Sequence, residues 1–156
     1  MKTIKIEFVE DGAQVLVELL EHQAPNTCNE IWNKLPLEGE LIHDIWSGPQ
    51  LFLPLEFEMW ESVYPENLTV FVHPGDVFFY ARGPKELHGK PYGLDSMAEI
   101  GIVYDRNSGP KGPAGPKSIN IFGKVIAGAS DLKRLGDSVV FSGPKKVRIS
   151  RQQEVN

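Results

Sequence analysis

The chain has 156 residues, enough for one domain burying roughly 70% of its unfolded surface, and its 15 glycines and 12 prolines signal many turns. Its 16 basic and 21 acidic residues leave a net charge of −5, which disfavours the phosphate backbone of a nucleic acid. One cysteine, Cys28, excludes an internal disulfide and fits a reducing, cytoplasmic compartment; no apolar run reaches the ~20 residues of a membrane span, and Met1-Lys2-Thr3-Ile4-Lys5 lacks the long apolar stretch of a signal peptide.

Ile4, Ile6 and Phe8 alternate with Lys5 and Glu7 as in a half-buried strand. Asp11-Gly12 marks a hairpin turn, and Val15, Val17 and Leu19 form the returning strand. Pro25 suits a first helical position, after which Cys28, Ile31, Trp32 and Leu35 make one apolar face until Pro36 stops the helix. That face is expected to plug one end of a barrel. Leu41–Trp46 and Leu51–Leu53 are expected strands on either side of Ser47-Gly48-Pro49. Phe57–Tyr64 fits no single period, and Thr69–His73 is a short apolar strand. Pro74-Gly75-Asp76 turns into a strand at Val77–Tyr80, and Gly83–Asp95 reads as a loop. Further strands are expected at Ala98–Tyr104, Ile119–Ile126, Val139–Phe141 and Lys146–Ser150, with a short helix from Ser130 to Leu135 ended by Gly136. The glycine-spaced segment Gly109–Pro116 is too short for a collagen helix and reads as an extended surface loop, a connector or a lid.

About eight strands and two short helices at this spacing predict a mainly β, closed eight-stranded barrel over residues 1–150, with a polar tail at 151–156. His22, His73 and His88 lie far apart, so no metal site is expected. No G-x-S-x-G, P-loop or G-x-G-x-x-G motif occurs, and no cofactor is expected. His43 shares a face with Leu41 and Ile45 and reads as a core histidine with a satisfied hydrogen bond. Cys28, on an apolar helix face, reads as a small buried hydrophobe.

The blocks Ala24-Pro25-Asn26-Thr27, Ile42-His43-Asp44-Ile45, Ser47-Gly48 and Phe122-Gly123-Lys124-Val125 resemble cyclophilin blocks, in the same order and across most of the chain. The run Leu35–Glu40, followed by His43, Trp46-Ser47-Gly48 and Pro74-Gly75-Asp76, is similar to an uncharacterised bacterial and archaeal cyclophilin-like family, a domain of unknown function. A related barrel occurs in subunits of amidohydrolases acting on ureides and 5-oxoproline. The resemblance implies a cyclophilin-like barrel with a groove on its wall. Prolyl isomerases of this fold place an arginine where this chain has Asp44, a phenylalanine near Gly101, and a tryptophan or histidine near Ile119, beside Asn120. Those three departures argue against ordinary isomerase chemistry.

The groove is expected to bind a small amide-containing metabolite or short peptide through Asp44, Trp46, Gln50, Phe52, Arg82, Glu99 and Asn120. Ile42, Asp44 and Trp46 would share a strand face. Trp46 and Phe52 would be walls, although Trp46 fits core packing equally well. Asp44 and Glu99 would pair with Arg82 or act as polar contacts. Three alternatives stand beside this reading. One is a prolyl isomerase using Arg82. Another is an amide or ureide hydrolase component with Asp44 or Glu99 as general base. The third is an interaction module with Trp60 and Tyr64 exposed around Phe57. The expected partners are a small molecule or short peptide and a second copy in a homodimer, with no nucleic acid and no membrane.

Overall fold

The computed structural model describes residues 1–83, 96–113 and 115–152. Alternating apolar residues build β1 (Thr3–Phe8) and β2 (Gln14–Leu19), joined by a turn in which Gly12 takes φ +85°. α1 (Pro25–Lys34) starts on a proline and buries Thr27, Cys28 and Ile31. The Cys28 thiol lies 3.4 Å from the Phe122 carbonyl, and Cys28 and Ile31 pack in the same buried cluster as the strands. β3 (Leu37–His43) and β4 (Gln50–Leu55) follow, then a single 3-10 turn at Phe57–Met59 and the two-residue β5 (Leu68–Thr69). β6 (Asp76–Arg82) and β7 (Met97–Val103) precede a small hairpin, β8 (Lys111–Gly112) and β9 (Gly115–Pro116). β10 (Ile119–Ala127), α2 (Ala129–Ser142) and β11 (Lys145–Arg151) complete the chain.

Eight strands run in the order β2-β1-β11-β3-β4-β7-β6-β10, and β10 returns to β2, closing an antiparallel barrel with β5 appended to β10. Inward residues of all these strands merge in one core, with Phe8, Phe122, Leu51 and Ile102 fully buried. Among the described residues, no helix is long and apolar enough to cross a membrane.

Several expected elements are placed differently, each for a local physical reason. β3 ends at His43, so Ile42, Asp44 and Trp46 do not share a strand face. Asp44 onward is a turn, held by Ser47 N–H to Asp44 O (3.0 Å) and Asp44 N–H to Gln50 O (2.9 Å). The expected strand at Thr69–His73 stops after Thr69, whose hydroxyl accepts the Phe71 N–H at 2.9 Å and folds the chain into a local turn. The helix expected to stop at Gly136 runs on to Ser142 and takes in Val139–Phe141, which were expected as a strand. Leu132, Leu135, Gly136 and Val139 form one buried face. The glycine lies inside that face because a Cβ there would be 2.6 Å from the Tyr104 ring. Trp60, expected on the surface, is 3% exposed and packs on Phe79, whereas Tyr64 is 58% exposed. The segment Gly109–Pro116 contains the β8–β9 hairpin rather than a plain loop. Arg151 belongs to β11, and the Gln152 N–H bonds Thr3 O at 2.9 Å, so the chain is paired two residues into the expected tail. The loop expected at Gly83–Asp95, including His88, and the end of the tail lie outside the described residues beyond Gly83 and Gln152.

Candidate functional site

The β-pleat decides what faces the groove. Ala98, Ile100 and Ile102 of β7 point into the core, which turns Met97, Glu99 and Gly101 outward. The register sets Phe52 opposite Gly101 on one flank, and Tyr80 opposite Glu99 and Arg82 opposite Met97 on the other. Above this outer face stand the Asp44–Ser47 turn and the β8–β9 hairpin. Together they enclose a cavity of about 330 Å³, within the range of small-molecule sites.

Ser47, 3% exposed, locks the roof in place. Its hydroxyl donates to Asp44 Oδ2 and accepts the Lys111 N–H, each at 2.9 Å, and its carbonyl accepts the Gly109 N–H at 2.8 Å. The Lys117 N–H closes the base of the hairpin on Pro110 O at 3.0 Å.

At the inner end Lys117 organises the charges. Its Nζ lies 2.8 Å from Glu99 Oε1, 3.9 Å from Asp44 Oδ2 and 4.4 Å from the centre of the Tyr80 ring. The Glu99 side chain is 2% exposed, Lys117 10% and Asp44 11%. Burial pushes the Glu99 carboxyl above its ordinary range and the nearby Asp44 charge adds to that, while Lys117 and Arg82 pull it back down. The mouth carries Trp46, 58% exposed, with Phe52 and Met97 as apolar lining.

Of the seven residues singled out from the sequence, the structure brings Asp44, Trp46, Phe52, Arg82 and Glu99 around this one cavity. It leaves two elsewhere. Gln50 is fully buried beneath the turn, donating through Nε2 to Ser108 Oγ at 2.6 Å, with its Oε1 unpartnered. Asn120 donates to Thr27 Oγ1 at 2.8 Å and accepts the Asn67 N–H at 3.1 Å, tying α1 to β10; it borders a different cavity. Lys117 and Met97 were not singled out as groove residues. The signal for Lys117 was present: it precedes Ile119 by two positions, and Ile119 and Ile121 pack in the small apolar cluster with Phe78 and Tyr80. Gly101 supplies no floor, and a Cβ there would lie 2.0 Å from Phe78 Cζ, so that ring already fills the spot.

His43 makes the expected hydrogen bond, Nε2 to the Tyr104 hydroxyl at 2.7 Å, but it is half-buried at the edge of the groove cavity rather than in the core, and its Nδ1 is buried without a partner. Burial lowers its pKa, against the opposing charges of Asp44 and Asp137, and so favours the neutral ring. Cys28 is 1% exposed, and burial raises its thiol pKa to about 12. Among the described residues, no three His, Cys, Asp or Glu side chains come together as a metal site.

Chemically, the cavity offers cationic donors (Lys117, Arg82) and carboxyl acceptors (Asp44, Glu99) beside an apolar surface. That combination suits a compact group that both donates and accepts hydrogen bonds, such as an amide or a zwitterion.

The pattern of the family described as protein of unknown function DUF3830 matches residues 6–151. No curated protein matches. Among solved structures the chain is similar to McbB, determined in complex with tryptophan, with a TM-score of 0.67 at 20% identity. That likeness covers 98% of this chain and 46% of McbB, so this chain spans less than half the length of that relative. It is also similar to the hypothetical protein AF2241 from Archaeoglobus fulgidus, with a TM-score of 0.53 at 19% identity over 97% of this chain and 95% of that one. At these identities the likeness is one of fold, the closed barrel with its two helices.

Proposed function

This chain belongs to the DUF3830 family of proteins of unknown function, and on that premise we propose that it binds a small amide-containing metabolite or short peptide in the outer groove of the barrel. The observation that carries this reading is the Glu99–Lys117–Asp44 cluster, nine-tenths buried at the inner end of a cavity of about 330 Å³ whose mouth is apolar. Charged groups are costly to bury, and a site that holds three of them at its inner end, beside Trp46 and Phe52, is matched to a polar head on an apolar body. McbB, of similar fold, was determined with tryptophan bound, which supports a small-molecule role for this barrel but does not identify the ligand here. The buried lone cysteine fits a reducing, cytoplasmic setting.

Ordinary prolyl isomerase chemistry is disfavoured. Asp44 brings negative charge to the place where the resemblance expects an arginine, and Phe78 occupies the space above Gly101. The test is a thermal-shift panel of cyclic amides, ureides, Xaa-Pro peptides and free amino acids, tryptophan included. A ligand at a hundred times its Kd stabilises by about 2.7 kcal/mol, and that gain should vanish in Trp46→Ala. A panel without a shift on the cooperatively melting protein, or a shift that survives Trp46→Ala, overturns the groove reading.

A further inference from the structure

Next to the groove lies a second cavity of about 580 Å³, and Lys117 is the one described residue that lines both. This cavity opens where two strands part. The pairing of β6 with β10 ends at Phe79 opposite Asn120, while Tyr80, Ala81 and Arg82 continue beside β7 alone. Its lining carries five rings, Phe57, Trp60, Tyr64, Phe79 and Tyr80, beside the polar Glu61, Ser118 and Asn120. Trp60 and Phe79 are buried with ring centres 5.8 Å apart and make a fixed floor, whereas Tyr64 and Leu68 at the rim are 58% and 53% exposed. The carboxyl groups of Asp44 and Glu99 and the guanidinium of Arg82 border only the smaller cavity. Lys117 thus stands at the boundary of the two, its ammonium 4.4 Å from the centre of the Tyr80 ring and 2.8 Å from Glu99 Oε1. A lysine stem of four carbons shifts without moving backbone.

We propose that the two cavities are halves of a single site whose ligand is an aryl-substituted amide, with the amide in the charged groove, the aromatic ring in the second cavity and Lys117 between them. This deepens the groove reading and rests on it. Rings stack offset or edge-on against one another, so the five-ring cavity selects a flat aromatic group, while the charged cluster selects the amide. Lys117, exchanging part of its contact with Glu99 for the ligand carbonyl, couples the two halves.

The three tryptophans report on this separately. Trp46 lines the groove and Trp60 the aromatic cavity, while Trp32 packs under Lys2 and Arg151 and lines neither. Indole N–H signals of the 15N-labelled full chain are followed during titration with N-acetylphenylalaninamide and, in parallel, N-acetylglycinamide, which carries the same amides without the ring. The expected result is that the phenylalanine compound shifts Trp46 and Trp60 but not Trp32 and binds at least tenfold more tightly. Tyr64→Ala and Leu68→Ala, both at exposed positions, should remove that advantage without weakening the glycine compound. If both compounds shift Trp46 alone with equal affinity, or if the two variants leave the advantage intact, the single-site inference is overturned and the groove reading stands. If neither compound shifts Trp46, both fail.

Discussion

Lys117 holds its ammonium between two carboxylates at a side-chain exposure of 10%, so its removal strands charge in a poorly solvated place. Losing one partner of a buried pair costs about 3 kcal/mol or more, and Lys117→Met should lower the urea midpoint accordingly near pH 8. The sign of the pH dependence follows from Glu99. Burial already raises its pKa above the ordinary 4.5 in the folded state. Its contribution to stability is therefore full below that ordinary value and is lost as pH rises through the folded one. Without Lys117 that folded value rises further, so the deficit of the variant should shrink when the same unfolding is measured at pH 5. A deficit equal at both values would assign the loss to packing on Tyr80 instead. Cys28 makes a second prediction of the same scale. With its thiol pushed up to about 12 by burial, it should resist iodoacetamide in the native protein and react at the rate of global unfolding.

At the scale of elements, the start of α1 depends on a residue far along the chain. Ala24 at its N-cap offers no side-chain acceptor. Glu66 fills that role, accepting the Asn26 N–H at 2.9 Å and the Thr27 N–H and hydroxyl at 2.8 Å each. A carboxylate at a helix N-terminus also meets the positive end of the helix dipole. Glu66→Gln keeps the size but loses the charge and one acceptor, so it should cost about 1–2 kcal/mol, read as a lowered denaturant midpoint. No loss would mean that Asn120, which also bonds Thr27, suffices to hold the helix. The other helix teaches a different lesson. Gly136 reads locally as a stop signal, yet α2 passes through it because Tyr104 needs the missing Cβ. That requirement comes from a residue on the strand side of the core and is invisible in the local sequence.

At the scale of the whole molecule, barrel closure puts β3, β4, β6, β7 and the β8–β9 hairpin around one site. If that site is a binding groove without isomerase chemistry, a protease-coupled assay on an Xaa-Pro peptide should show no rate above the uncatalysed one. A measurable rate would return Arg82 as the catalytic cation. Oligomer formation through exposed Trp60 has lost its footing, since that ring is buried against Phe79. Tyr64 stays 58% exposed, so a change in sedimentation on Tyr64→Ala would restore the interaction surface, and no change would remove it.

The alternation at Ile4–Phe8 and Val15–Leu19, the apolar strands at Ala98–Tyr104 and Ile119–Ile126 and the apolar face Cys28–Leu35 were enough, from the sequence by itself, to predict a barrel plugged by a helix. Period-two and period-3.6 patterns are local and survive without knowledge of the partner strand. The polar residues of the groove were legible in another way, since Arg82 and Glu99 came from the resemblance to the cyclophilin groove, while the one parity argument, Ile42, Asp44 and Trp46 on a shared face, failed because β3 ends at His43. What only the tertiary structure decided was pairing. Lys117 reaches Glu99 across 18 positions, Glu66 caps a helix 40 positions away, and Asn120 spends its amide on Thr27 across 93. Such contacts depend on which strands become neighbours when the sheet closes, and hydrogen-bonding capacity alone does not say which of several acceptors a buried donor will meet.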